Sequence, residues 1–184
     1  MKESIVSKPY TFKRLNIQIQ NRTVLAAMTN KQSHDNGVIS NDEIDWLVER
    51  AKGKFGIITT AATNVSLQGK AWDGEFGVYD DSQLPQLTKL TTNIHQTKSI
   101  IIAQLFHGGI RSPQKITGTI PISCSEIDCN ESETGKSKEA TEKDIKKIIN
   151  DFTCSAIRCC EAGFDGIELH GAHGYLISQF LGKK

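Results

Sequence analysis

Four short apolar runs, separated by segments of helical periodicity, constrain this chain more than any other feature. They fall at residues 23–28, 55–60, 99–105 and 165–169. Each is too short for an ordinary helix, and each reads as a core strand. Between them the apolar positions recur at helical spacing. The first set is Ile44, Leu47, Val48 and Ala51, and the second is Leu84, Leu87, Leu90 and Ile94. The third is Ile145, Ile148, Ile149, Phe152, Ala156 and Cys159 or Cys160. The start signals agree with this pattern. Ser40 with Glu43 has the capping-box form, Asp81 or Ser82 precedes Pro85, and Thr141 precedes Asp144. Gly53 suits the C-terminus of the first helix. Strand, helix, strand, helix, strand, helix, strand is the signature of a parallel sheet with helical crossovers. An open doubly wound sheet and part of a (β/α)₈ barrel both fit. No G-x-G-x-x-G follows the first run, which disfavours the dinucleotide-binding open sheet. Residues 10–20 alternate apolar and polar side chains around Asn16 and predict a short amino-terminal hairpin.

The chain has 184 residues, enough for one domain with a sizeable core. Its 22 Lys+Arg stand against 21 Asp+Glu, so charge makes no case for nucleic acid or an anionic membrane as partner. No run approaches the roughly 20 apolar residues of a membrane span. The opening Met1-Lys2-Glu3-Ser4 lacks the apolar core of a signal peptide. A cytoplasmic protein is the simplest reading. The five cysteines (Cys124, Cys129, Cys154, Cys159, Cys160) form no C-x-x-C pair, which argues for reduced thiols used in packing and against a zinc site. Residues 108–140 are polar and aperiodic, the profile of a functional lid or a partly disordered loop, with residues 130–138 as an exposed tip.

In parallel α/β folds ligands bind at the carboxyl ends of the strands. Those ends carry Met28-Thr29, Ala61-Ala62-Thr63, then Gln104-Leu105-Phe106-His107-Gly108-Gly109, and finally His170 to Tyr175. Small residues, a hydroxyl and an amide in the first three suit a flat heterocycle approached closely by backbone. Two imidazoles and a phenol in the fourth suit hydrogen bonding to an oxygen and proton donation. Bland readings stand beside these. In these, Gln104 serves only to satisfy backbone groups, His107 is a packed histidine, and the pair His170/His173 has the spacing of a metal or a structural pair. His34 and His95 receive no role.

The run Ile167-Glu168-Leu169-His170-Gly171-Ala172-His173-Gly174-Tyr175-Leu176-Ile177-Ser178-Gln179-Phe180-Leu181 resembles the signature of the old yellow enzyme family, the FMN-dependent ene-reductases. Asn21-Arg22 to Met28-Thr29, Ala62-Thr63 to Gln68-Gly69 and Ala103 to Gly109 agree in order and spacing. The resemblance covers nearly the whole chain.

This resemblance implies a (β/α)₈ barrel with FMN at the carboxyl ends of its strands. It implies backbone contacts to the isoalloxazine from Ala27, Met28 and Ala62, and a hydrogen bond from Thr29 near the flavin O4/N5 edge. Gln104 would bind the pyrimidine edge. His170 and His173 would hold the substrate's carbonyl or nitro oxygen, with His170 also beside the cofactor. Tyr175 would donate the proton to the α-carbon. NADH or NADPH would reduce the flavin, which passes a hydride to the β-carbon of an activated alkene, the small-molecule substrate. No metal is implied. The family barrel has four further strands, whereas here residues 1–184 read as its amino-terminal half, about four parallel strands after the hairpin. A (β/α)₈ barrel takes about 250 residues, and the loops after its seventh and eighth strands commonly build the phosphate site. A truncated oxidoreductase is thus the first expectation. A non-catalytic half-barrel that pairs with another chain, or self-associates through its exposed edges, is the second. A metal-binding α/β domain using His170, His173 and Glu168 is the third.

Overall fold

The computed structural model describes residues 4–182. Residues 1–3, read above for a leader, and residues 183–184 lie outside the described residues. The expected hairpin is β1 (Tyr10–Phe12) and β2 (Ile17–Ile19), antiparallel with Tyr10 opposite Ile19. Asn16 makes the turn at φ 54°, a left-handed conformation that asparagine tolerates better than most side chains. The chain then runs β3 (Val24–Leu25), α1 (Asn41–Lys52), β4 (Ile57–Asn64), α2 (Leu84–His95), β5 (Ile100–Phe106) and α3 (Gln114–Thr117). It continues through β6 (Ile122–Ser123), β7 (Lys138–Glu139), α4 (Glu142–Glu161), β8 (Gly166–Leu169) and α5 (Leu176–Leu181).

Strands β3, β4, β5 and β8 form one sheet in that order, and every neighbouring pair is parallel. Consecutive sheet strands lie side by side, and α1, α2 and α4 fill the three connections. Side chains alternate across a strand, so Ile101, Ala103 and Leu105 of β5 share one face. That face packs with Ile44, Leu47 and Ala51 of α1, Leu87, Leu90 and Ile94 of α2, and Cys159 of α4 in one buried cluster. Ile102, Gln104 and Phe106 occupy the opposite face. The helices thereby seal one side of the sheet and leave the other, at the strands' carboxyl ends, to the site.

The helix starts follow the sequence with two corrections. The Ser40 hydroxyl accepts the Glu43 N–H at 3.1 Å, as expected. Glu43 does not complete the box. Its carboxylate accepts from the Ser33 hydroxyl, while the Ser40 N–H donates to Ser33 Oγ at 3.2 Å. Ser33 thus pins the segment after β3 to the start of α1. The second correction is at α2, which follows a 3₁₀ turn capped by Asp80 instead of Asp81 or Ser82; Pro85 lies in its first turn. At α4, Thr141 and Asp144 form the full reciprocal box.

Burial corrects three further expectations. The first core strand shrinks to Val24–Leu25, with Val24 52 % exposed at the sheet's edge. The fourth is not buried: Ile167 and Leu169 are 41 % and 58 % exposed. Its apolar sequence suits two covered faces, but β8 is the other edge and pairs only with β5. The α4 stripe shifts for the same reason. Ile148 and Cys159 are buried, Ile149 and Cys160 are exposed. Ile149, Phe152, Leu169, Leu176 and Phe180 line an open apolar groove of about 390 Å³ between α4 and α5.

Residues 108–140 are neither a free lid nor disordered. The Lys138 N–H donates to the Pro121 carbonyl at 2.8 Å, the Ser137 hydroxyl donates to the Ser125 carbonyl at 3.1 Å, and β6 pairs with β7. In the expected tip, Ser132 and Ser137 are buried. No helix among the described residues is long and apolar enough to cross a membrane.

Candidate active site

The register of the sheet lines up the polar groups at its carboxyl end. Ala62 of β4 stands beside Gln104 of β5, which stands beside Glu168 of β8. This row explains Gln104 better than the bland reading does. Gln104 Nε2 donates to the Glu168 carboxylate, so the amide is oriented by a side chain and not consumed by backbone. With Nε2 engaged, Oε1 is left as the acceptor available to a ligand. Ala62 contributes only a methyl group, which keeps the floor beside Gln104 low. Thr29 and Ala62 line one closed seam with Asn30 and Trp72, too tight to admit a water molecule. Ala27 is half-buried and Met28 is 43 % exposed in the segment just past β3.

The fourth strand end gathers the remaining candidates. His170 follows β8 directly, and its N–H donates to the Leu105 carbonyl at 3.0 Å, continuing the sheet by one bond. The chain then turns sharply. His173 and Gly174 take φ 58° and 71°, and Tyr175 is the N-cap of α5. The turn brings three rings together. The His170 centroid lies 4.9 Å from both the His173 and the Tyr175 centroids, and His173 lies 6.2 Å from Tyr175.

Hydrogen bonds assign the tautomers. His170 Nδ1 accepts the Ala172 N–H at 3.2 Å, so the proton of the neutral ring sits on Nε2. His170 Nε2 lies 3.2 Å from His173 Nδ1 and donates to it, leaving Nε2–H of His173 as the outward donor. Burial and the neighbouring His173 hold the His170 pKa below the usual imidazole value, against an opposing pull from Glu168. His170 is therefore a neutral donor at pH 7. The rings are bonded to each other, so a ligand oxygen receives both N–H groups only if it displaces His173 Nδ1 from His170.

Several residues of the site escape sequence reasoning. Trp72 stacks on Phe106 at 5.3 Å, and Phe106 meets Tyr175 edge-on at 5.1 Å, making an aromatic wall behind the phenol. Gln179 clasps two strand-end loops. Its Nε2 donates to the Gly174 carbonyl at 2.6 Å and its Oε1 accepts the Ile110 N–H at 3.3 Å. Gly109 makes room for it: at φ +63°, an added Cβ would lie 2.5 Å from Gln179 Oε1. Arg111 Nη1 donates to the His173 carbonyl at 3.1 Å. Gln179 lies inside the recognised motif, but only the fold shows what it holds. No local signal marks Trp72 or Arg111.

His107 is the packed histidine of the bland reading. It is 1 % exposed, and its Nδ1 accepts the Gly109 N–H at 3.0 Å. Its Nε2 is buried without a partner, and the ring packs on Gly69, where an added Cβ would lie 2.6 Å from Cδ2. Burial, with a smaller push from Lys147, brings its pKa down to about 4 from 6.5. Between those values the unfolded chain binds more protons than the folded one, so folding stability falls as pH falls. The contribution is complete above pH 6.5 and has declined by roughly 3 kcal/mol near pH 4. Urea unfolding across this window, wild type against His107→Gln, should show a shallower pH slope in the variant. Equal slopes would contradict the assignment.

The metal reading has a poor geometric basis, because Glu168 turns to Gln104 and the two imidazoles bond each other. No group of three or more potential ligands gathers among the described residues. His95, given no role above, pairs with Asp165 at 2.9 Å away from the site.

A parallel α/β sheet that carries paired imidazoles and a phenol past one strand, and an oriented amide on the next, has its polar side chains where parallel α/β folds bind ligands. Comparison with known proteins narrows the class. Residues 6–184 match the model of the NADH:flavin oxidoreductase / NADH oxidase family, and the chain belongs to that family. It is 36 % identical over 177 residues to the "Probable NADH-dependent flavin oxidoreductase YqiG" of Bacillus subtilis strain 168, covering 96 % of this chain and 47 % of the relative. It is 36 % identical over 166 residues to an NADPH dehydrogenase of Bacillus licheniformis, covering 90 % of this chain and 48 % of that protein. Among solved structures, the old yellow enzyme from Pichia sp. AKU4542 superposes with a TM-score of 0.89 at 25 % identity, over 97 % of this chain and 49 % of that one. The fold is that of the amino-terminal half of an old yellow enzyme (β/α)₈ barrel, and the chain spans about half the length of these relatives.

Proposed function

We propose that this chain forms the ring-facing half of a flavin site in an FMN-dependent oxidoreductase that reduces activated alkenes, enones or nitroalkenes, with NADH or NADPH as reductant. The observation that carries this reading is the convergence of His170, His173 and Tyr175 next to the row Ala62, Gln104 and Glu168. The residues present fit the isoalloxazine. Gln104, fixed by Glu168, offers Oε1 to the N–H of a pyrimidine edge. Thr29 packs beside Ala62 at the strand ends, and Ala27 and Met28 lie in the segment leading to them. Flavin, when bound, supplies the hydride that these side chains cannot. The fit does not extend to the phosphate. In such barrels its contacts commonly come from loops after the seventh and eighth strands, and the described residues form four strands of the sheet.

The chain's own chemistry follows from the donor set. His173 Nε2–H points outward, and His170 Nε2–H becomes available once a ligand oxygen replaces His173 Nδ1. The pair then holds a carbonyl or nitro oxygen and stabilises the negative charge that develops there. One such donor is typically worth about 3–4 kcal/mol in the transition state. Tyr175, half-buried against the aromatic wall, holds the proton for the α-carbon.

The oxygen clamp has a direct test. With FMN bound, a phenol placed over the flavin gives a long-wavelength charge-transfer band. The His170→Ala/His173→Ala double variant should bind the phenol about 10²–10⁴-fold more weakly, as loss of two charge-assisted hydrogen bonds implies. Unchanged affinity would return the pair to a structural role.

A further inference from the structure

Arg111 remains outside this scheme, yet it touches the site. It lies in a 3₁₀ turn, Gly109–Arg111, directly after β5. One donor, Nη1, goes to the His173 carbonyl, and the guanidinium carbon sits 5.1 Å from the centre of the Tyr175 ring. A guanidinium has five donors in a planar fork shaped for carboxylate or phosphate. Here the backbone bond and the aromatic face fix its position, and the side chain is exposed at the rim. No carboxylate answers it: the Lys and Arg salt bridges of the described residues leave Arg111 out, and Glu168, the acid of the site, is held by Gln104. The other groups facing the Tyr175 ring are His170 and His173 and the apolar rings of Phe106 and Trp72. The rim is therefore a fixed cation beside an oxygen clamp, with no anion of its own.

We infer that Arg111 is a specificity residue that selects ligands carrying an anionic group, a carboxylate or a phosphate, at the end remote from the oxygen held by His170 and His173. The inference rests on the oxygen-clamp reading above and adds the charge of the ligand to it. The guanidinium carbon and the His170 ring lie 5.1 and 4.9 Å from the centre of the Tyr175 ring, so both are within reach of one small ligand. A six-membered ring with a clamped oxygen and a para carboxylate has that reach. A phosphate on the nicotinamide reductant is the second source of the same chemistry.

The test needs neither turnover nor bound flavin. The chain is titrated with 4-hydroxybenzoate, with its neutral isostere 4-hydroxybenzamide and with nicotinamide mononucleotide, and imidazole resonances of His170 and His173 report binding by NMR. Wild type should bind 4-hydroxybenzoate about twofold to fivefold more tightly than the amide, the scale of a single rim charge pair. The preference should shrink as salt is raised. Arg111→Gln should abolish the preference by weakening benzoate binding more than amide binding, and Arg111→Lys should keep part of it. Loss confined to nicotinamide mononucleotide in Arg111→Gln would assign the residue to a phosphate source, and loss confined to the benzoate to a carboxylate source. A benzoate preference that survives in Arg111→Gln overturns the inference and leaves the clamp intact. If no ligand moves either imidazole in folded wild type, the clamp reading fails, and the inference fails with it.

Discussion

In a completed barrel with FMN bound, Tyr175→Phe should slow alkene reduction by about 10²–10⁴-fold, the usual contribution of a positioned general acid, and leave flavin reduction by NAD(P)H nearly unchanged. In the proposed function the phenol acts only in the half-reaction that delivers a proton to carbon. Hydride transfer into the flavin needs no proton from it. The substitution removes one oxygen and keeps the ring, so the contacts with Phe106 and His170 at 5.1 and 4.9 Å survive. The Arg111 guanidinium also keeps its aromatic face. Stopped-flow kinetics separate the two halves. Equal slowing of both would point to a packing role, since a collapsed wall would disturb every ligand of the site.

The parallel sheet was legible because its cause is local. Strand runs and amphipathic helices of the right length alternate, and Ser40, Thr141 and Pro85 mark helix starts that the structure keeps. The strand-end site was legible in part for the same reason. His170, His173 and Tyr175 lie within six residues, and one turn with two left-handed positions suffices to gather them. Gln104 and Glu168 are 64 positions apart, and only the β5–β8 register places them side by side. Trp72 and Arg111 reach the site from separate loops through contacts with Phe106 and Tyr175. Periodicity cannot see such contacts. It also cannot tell an apolar strand covered on both faces from one at an edge, which is why β8 reads as buried and is exposed. Glu43 makes the converse point. Its position suited a capping box, but a tertiary partner, Ser33, takes its carboxylate.

The ring of a flavin and its phosphate make separable demands on a protein. The ring needs close backbone, an oriented amide and nearby donors, and the described residues offer all three. The phosphate is the cofactor's main charged handle, and it is commonly held by backbone N–H groups at a helix N-terminus and by loops on late strands of the barrel. Each charge-assisted hydrogen bond there is worth about 1.5–3 kcal/mol, so several together amount to orders of magnitude in affinity. A polypeptide of these 184 residues should therefore sense the ring and be nearly blind to the phosphate. Flavin fluorescence, titrated in parallel with FMN and with riboflavin, measures this directly. The account predicts weak binding of both, equal within about threefold, and weakened for both by Gln104→Ala. Tight stoichiometric binding of FMN with a large preference over riboflavin would contradict it, because a phosphate site would then exist within these residues.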